Sequence, residues 1–164
     1  MKLLIRKTHK YLSFFISIQL LLWTISGIYF SFNKIELVRG EQYIEVVEKP
    51  INLSAINFNI PNSENISIIN RLDKEIVIVS TKSSKRYLDK NGNPLEKLSI
   101  DEAMKSVEIK TTLLPLEVIE ITDRKSGSEF RGRSLPIYKV ESKNTKNDDI
   151  NVYVNIYSGE IMAI

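Results

Sequence analysis

The sequence predicts an α+β protein: one N-terminal transmembrane helix, then two units of antiparallel strands, each with a helix packed on its sheet. Three observations predict it. Tyr11 to Phe32 is a run of 22 residues without a charge. At ~1.5 Å per residue it is long enough for a hydrocarbon core of ~30 Å. Beyond it, short apolar runs such as "INVYVNI" alternate with polar residues, the period of a strand with one covered face. Two turns also repeat, "RYLDKNGNPL" and "VYVNIYSGEI". Tyr87 answers Tyr153, Asp89 answers Asn155 and Gly92 answers Gly159, at offsets of 66 or 67 residues.

Residues 1–10 form a basic flank. Lys2, Arg6, Lys7 and Lys10 precede the apolar run, and no acid occurs before Glu36. Positive charge stays on the cytoplasmic side of a span. Met1 is therefore expected in the cytoplasm and the C-terminal domain outside it, in the periplasm if the host membrane is a bacterial inner membrane. A cleaved signal has the same polarity, but its apolar core is usually ~7–15 residues and ends in small residues. Here the run is longer, and Trp23, Tyr29, Phe30 and Phe32 crowd its exit. A retained, single-pass anchor in residues 11–32 is the expectation.

At ~100° per residue, His9, Ser13, Ile16, Leu20, Trp23, Thr24 and Gly27 fall on one stripe of that helix, with Ser17 at its edge. Ser13, Ser17, Trp23, Thr24 and Gly27 make a candidate packing face for a second transmembrane helix. The competing reading has the hydroxyls bonded back to their own helix.

Residues 33–50 read as an extended connector. The first unit, 51–98, opens with the polar stretch "INLSAINFNI", expected to be helical, and the breaker "PNSEN". Strands "EIVIVS" and "KRYLD" follow. "EIVIVS" is apolar on both faces and reads as a central strand. The second unit, 99–164, opens with a helix in "LSIDEAMKSV". Ser99 and Glu102 have the spacing of a capping box. Strands "LEVIEI", "LPIYKVES", "INVYVNI" and "IMAI" complete it. Gly92 and Gly159 are expected to supply the positive φ of the two repeated turns.

The net charge of +3 belongs to the flank. Without its four basic residues, 19 basic and 20 acidic residues remain, a net of −1. A nucleic-acid binder concentrates positive charge on its folded domain, so no nucleic-acid partner is expected. With no cysteine and His9 the sole histidine, the exported part has no Ser–His triad, Cys–His pair or histidine-ligated metal site. No catalytic or metal-binding residue is assigned, and the chain is expected not to be an enzyme. Asp101 and Glu102 complement a helix dipole, and Asp148 and Asp149 lie in a polar loop. The loop "DRKSGSEFRGRS" is different, because Arg124, Lys125, Arg131 and Arg133 surround two glycines and Phe130. It is a candidate site for an anion or an acidic partner, against the alternative of a solvated hairpin loop.

Together, the basic start with "RKTHKYLSFFISIQLLLWTISG" and two units ending in "YLDKNGNPL" and "YVNIYSGEI" resemble the PepSY-associated transmembrane proteins. The pattern His9, Trp23, Ser26, Gly27 and the two hairpin ends carry the resemblance, which covers nearly the whole chain. It implies a tandem PepSY-like module and a non-enzymatic binding or regulatory role, such as inhibition or regulation of a peptidase, with a protein partner. Larger relatives are linked to iron and siderophore uptake, including haem-binding inner-membrane reductases with several spans. Similar proteins continue past the last repeat into a second span with its own histidine, where this chain stops at Ile164.

By that alternative His9 would be an axial ligand of haem b, with the second ligand from a dimer mate or a partner. Otherwise His9 is an interfacial residue at headgroup depth and no cofactor is expected. Besides the lipid bilayer, the expected partner is a protein or a second transmembrane helix.

Overall fold

The computed structural model describes residues 2–46, 49–52, 63–82, 84–124, 127–130 and 132–164. The chain divides into two compact units, Met1–Gln42 and Tyr43–Ile164.

The first unit is dominated by helix α1, Lys2–Phe32. None of its residues is buried by the rest of the chain, so its apolar side chains have no protein core to enter. It is the one described helix long and apolar enough to cross a membrane. Its 31 residues give ~46 Å of helix, more than the ~30 Å core needs, so the basic flank continues as helix beyond the span. The connector is not uniformly extended as expected. It holds a short helix α2, Ile35–Val38, and a 3-10 turn at Glu41–Tyr43. Gly40 between them has φ +72°, the left-handed geometry that ends a helical turn cheaply only at glycine.

The second unit contains two antiparallel sheets. The first has β1 Asn65–Arg71, β2 Lys74–Ser80 and β3 Lys85–Leu88 in spatial order β1-β2-β3. The second has β4 Leu114–Ile121, β5 Ile137–Lys143, β6 Asp149–Asn155 and β7 Ile161–Ala163, also in sequence order. Strand β2 is central, as its composition predicts. Val77 and Val79 pack with Leu88 and Ile68 on one face, while Ile76 and Ile78 are buried on the other. Strand β1 has no counterpart among the strands the sequence predicts. Most of "INLSAINFNI" lies outside the described residues, so the helix expected there does too.

Helix α3, Ile100–Lys110, packs on the second sheet. Ser99 accepts from the Glu102 amide, and the Glu102 carboxylate accepts from the Ser99 amide at 3.0 Å. This capping box is worth ~1 kcal/mol. Ala103 and Val107 meet Val140, Val152 and Val154 across the main core. Each fully buried aliphatic side chain contributes ~1.5–3 kcal/mol. Residues Tyr43 to Glu45 close the end of α3: Glu45 N donates to Lys110 O and Thr112 N to Tyr43 O, at 2.8 and 2.9 Å.

The internal repeat is visible as geometry. Asp89 N donates to Asn93 O, and Asn155 N to Glu160 O, so both turns close the same way. Leu88 bridges Pro94 where Val154 pairs with Ile161. The extra residue of the second copy lies inside its turn, between Asn155 and Gly159, which accounts for the change of offset from 66 to 67. Pro94 has no amide proton, and in the first copy the strand that would match β7 is reduced to a single bridge.

One expectation needs correction. The alternation in "INVYVNI" implies an open face that carries Tyr153, but Tyr153 is 4% exposed. Phe130 packs against Tyr153 on that face with ring centroids 5.3 Å apart, and Leu135 and Met162 join the same cluster. Both faces of the second sheet are covered at this point.

Candidate functional site

The two repeated turns bring the two sheets together. Asn155 ends β6, and its Oδ1 accepts from the amides of Tyr157 and Ser158, both at 2.9 Å. Its Nδ2 donates to the Tyr87 hydroxyl at 2.9 Å. Tyr157 stacks on Tyr87, with centroids 5.1 Å apart and planes 20° from parallel. Asp89 does for the first turn what Asn155 does for the second, accepting from the amides of Asn91 and Asn93 at 2.8 Å. Hydrogen bonds from the Asn93 side chain and amide hold the Asp89 carboxyl below the usual carboxylate range.

Gly92 and Gly159 have φ +87° and +68°, as the turns require. Gly159 is also enclosed by α3. Its carbonyl accepts from Ser106 Oγ at 2.9 Å and Lys110 Nζ at 2.7 Å. Burial pushes the Lys110 ammonium below the usual lysine range, with Glu160 opposing.

A groove of about 480 Å³ opens beside the tyrosine stack. Its first wall is the end of β2 and the start of β3: Ser80, Thr81, Ser84, Lys85 and Tyr87. Ser80 and Lys85 are register partners, as are Ile78 and Tyr87, which places these side chains on one face. The second wall comes from the end of the long loop, Ser134 to Pro136, and from Asn155, Tyr157 and Met162. The Leu135–Pro136 peptide bond is cis. Among the described residues that line the groove there is no carboxylate, and Lys85 is the single ionic group. Strands β3 and β7 are the end strands of their sheets.

The basic loop is not simply solvated. Glu129 accepts from the Tyr153 hydroxyl at 2.6 Å and from Asn151 Nδ2 at 3.1 Å. Those two donors hold its carboxyl below the usual range. Burial, reinforced by Glu129, pushes the Tyr153 phenol up. Arg124 donates to the Arg133 carbonyl at 2.6 Å, tying the two limbs of the loop together. Arg124 and Arg133 are both exposed, whereas Lys125 and Arg131 lie outside the described residues. The loop's contribution to the groove is its C-terminal limb, one residue beyond Arg133.

A smaller cleft of about 190 Å³ lies beside Arg71, Glu96 and Glu102. Arg71 is 9% exposed and fully engaged there, donating to Glu96 O and to Glu102 Oε2, both at 2.9 Å. Burial raises the Glu102 carboxyl, but hydrogen bonds from Ser99 and Arg71 outweigh it and the net direction is down. This cleft is a structural joint between β1 and the cap of α3.

In α1, His9 is exposed and its Nδ1 lies 3.5 Å from Ser13 Oγ. Ser17 donates to Ser13 O and Thr24 to Leu20 O, at 2.8 and 2.9 Å. Ser26 donates to Trp23 O at 3.0 Å. The hydroxyls of the stripe are thus bonded within their own helix. A Cβ placed on Gly27 meets no atom within 4 Å. Among the described residues, no group of three or more His, Asp or Glu side chains is arranged to hold a metal ion.

Comparisons with family models, with curated proteins and with solved structures gave no match to this chain.

Proposed function

We propose that the chain is a membrane-anchored, extracytoplasmic binding module of PepSY-like type, with α1 as its retained anchor and the paired-sheet unit as its working part. The observation that carries this reading is the inter-repeat groove. It is built from both repeats and walled by hydroxyls, one amide, two aromatic rings and a lone ammonium. Such a lining recognises a ligand by shape and hydrogen bonds. Its described residues include no paired general acid and base, which supports a binding or regulatory role over catalysis. The basic flank before the span supports a cytoplasmic Met1 and a domain on the other side of the membrane. The resemblance supports a protein partner such as an exported peptidase.

The test is site-specific photocrosslinking in intact cells. A crosslinker at Thr81, on the groove, is expected to give a discrete protein adduct. One at Glu117, on β4 at the opposite edge of the second sheet, is not. Equal adducts at both positions, or none at either, would remove the reading. A visible spectrum of the protein in mild detergent tests the rival: a Soret band lost in His9→Ala would replace the binding module with a haem protein.

A further inference from the structure

We propose that the groove between β3 and β7 captures the C-terminal carboxylate of an extended peptide that ends in apolar residues, with Lys85 as the receiving cation. The inference deepens the binding-module reading and rests on it.

Three independent features of the groove converge on that ligand. The first is charge. The Lys85 ammonium makes no ion pair or hydrogen bond among the described residues, and no acid is among the described residues that line the groove. The exposed lysines on this unit that do have partners, Lys49 and Lys97, lie elsewhere. Other donors line the same groove. The Tyr87 hydroxyl accepts from Asn155, which leaves its own proton to give. Ser80 and Ser134, also in the lining, have no hydrogen-bond partner for their hydroxyls among the described residues. A carboxylate is an acceptor-only group, and it is what such a set of donors satisfies.

The second feature is the apolar side. Leu135, Pro136, Met162 and the Tyr157 ring form the opposite wall, so an apolar side chain next to the carboxylate has a surface to cover. A small inorganic anion would leave that wall wet.

The third feature is the backbone. The groove takes lining residues from the end strand of each sheet, Lys85 and Tyr87 from β3 and Met162 from β7. On its outer side β3 is met only at Tyr87 and Leu88, by Leu95 and Pro94. The Lys85–Arg86 end of that edge is open among the described residues. An open edge beside a cation and an apolar wall is suited to a peptide that adds a short strand and ends at the cation. A free amino acid or fatty acid would use the wall and the lysine but not the edge.

The experiment is titration calorimetry of the full chain in nanodiscs with acetyl-Ala-Val-Leu-Phe as the free acid and as its C-terminal amide. The acid is expected to bind at least about tenfold more tightly than the amide, the size of one charge-assisted hydrogen bond. Lys85→Gln should reduce the acid to the level of the amide, and Lys85→Arg should restore most of the difference. Lys85 is exposed, so these variants are expected to keep the far-UV spectrum and urea midpoint of the parent. Equal binding of acid and amide, no heat at millimolar peptide, or an unchanged acid affinity in Lys85→Gln would overturn the proposal. Displacement of the peptide by millimolar acetate would also overturn it, in favour of a small-acid site. Crosslinking from Thr81 reports separately on the module, so a failed titration with adducts intact would discard the carboxylate assignment alone.

Discussion

Gly159→Ala is the substitution whose cost the structure specifies most fully. Gly159 has φ +68°, and a Cβ there would lie 2.6 Å from Ser106 Oγ and 3.5 Å from Leu98 Cδ1. Left-handed geometry costs an alanine ~1–2 kcal/mol. The steric conflict adds to it. Ser106 is 0% exposed in the helix-to-sheet core, and its hydroxyl donates to the Gly159 carbonyl at 2.9 Å. Moving that side chain aside breaks a buried hydrogen bond and strands a hydroxyl, for a further ~1–3 kcal/mol. The expected loss is therefore ~2–5 kcal/mol. Urea unfolding of the chain in mild detergent, followed by far-UV circular dichroism, reads it as a lowered midpoint at unchanged slope. Gly127→Ala is the control: φ is +79° but no atom lies within 4 Å, so only the ~1–2 kcal/mol backbone cost should appear. In the double variant with Ser106→Ala the clash is gone, and the two losses should sum to more than the combined loss. A Gly159→Ala variant no worse than Gly127→Ala, or additive losses in the cycle, would refute the close approach of α3 to the second turn.

Four further outcomes are expected. Arg71→Met should cost ~1–3 kcal/mol by urea unfolding, because Glu96 O loses its guanidinium donor and the capping carboxylate of Glu102 keeps only the Ser99 amide. Ser99→Ala should cost ~1 kcal/mol and raise amide exchange in the first turn of α3. Glu129 has a depressed folded pKa, so its bonds to Tyr153 and Asn151 stabilise the loop fully above the unfolded value of ~4.3. That contribution falls away as pH drops through the folded value, and amide exchange around Phe130 should rise there, with Glu129→Gln flattening the response. Lys110 has a folded pKa pushed down by burial, so its charge opposes folding at neutral pH. Raising pH through the folded pKa towards the unfolded value of ~10.4 should relieve that opposition. A comparison of Lys110→Met with the parent by urea unfolding should show the parent gaining stability relative to the variant across that window.

Much of the fold is local chemistry and was legible for that reason. The 22-residue uncharged run, the Ser99–Glu102 box and the doubly apolar β2 each carry their own signal. Strand β1 does not. Its turn, Leu72–Asp73, joins Arg71 to Lys74 with no glycine, and Leu72 adopts φ +56°, a geometry the residue type does not announce. The connector read as extended because its polar composition hides a four-residue helix, Ile35–Val38, with the positive-φ Gly40 just beyond its cap.

The site was harder. Lys85 sits in an unremarkable "SSKR" stretch, and the groove exists only because Tyr87 and Tyr157, 70 residues apart, stack. The repeat did mark both of its hinges, Tyr87 and Asn155, as ends of matching turns. The basic loop drew notice through its charges, yet its anchors are Glu129 and Phe130. A lone aromatic in a polar loop, opposite a strand with a tyrosine on its supposedly open face, was the signal available.

The central claim is that the paired-sheet unit is displayed, with its groove open, on the side of the membrane away from the basic flank. The chain has no cysteine, so single-cysteine labelling tests this cleanly. Ser84→Cys, on the groove wall, should react with a membrane-impermeant maleimide in intact cells, and Leu3→Cys only after permeabilisation. The opposite pattern, or a Ser84→Cys that labels only in broken cells, would contradict it.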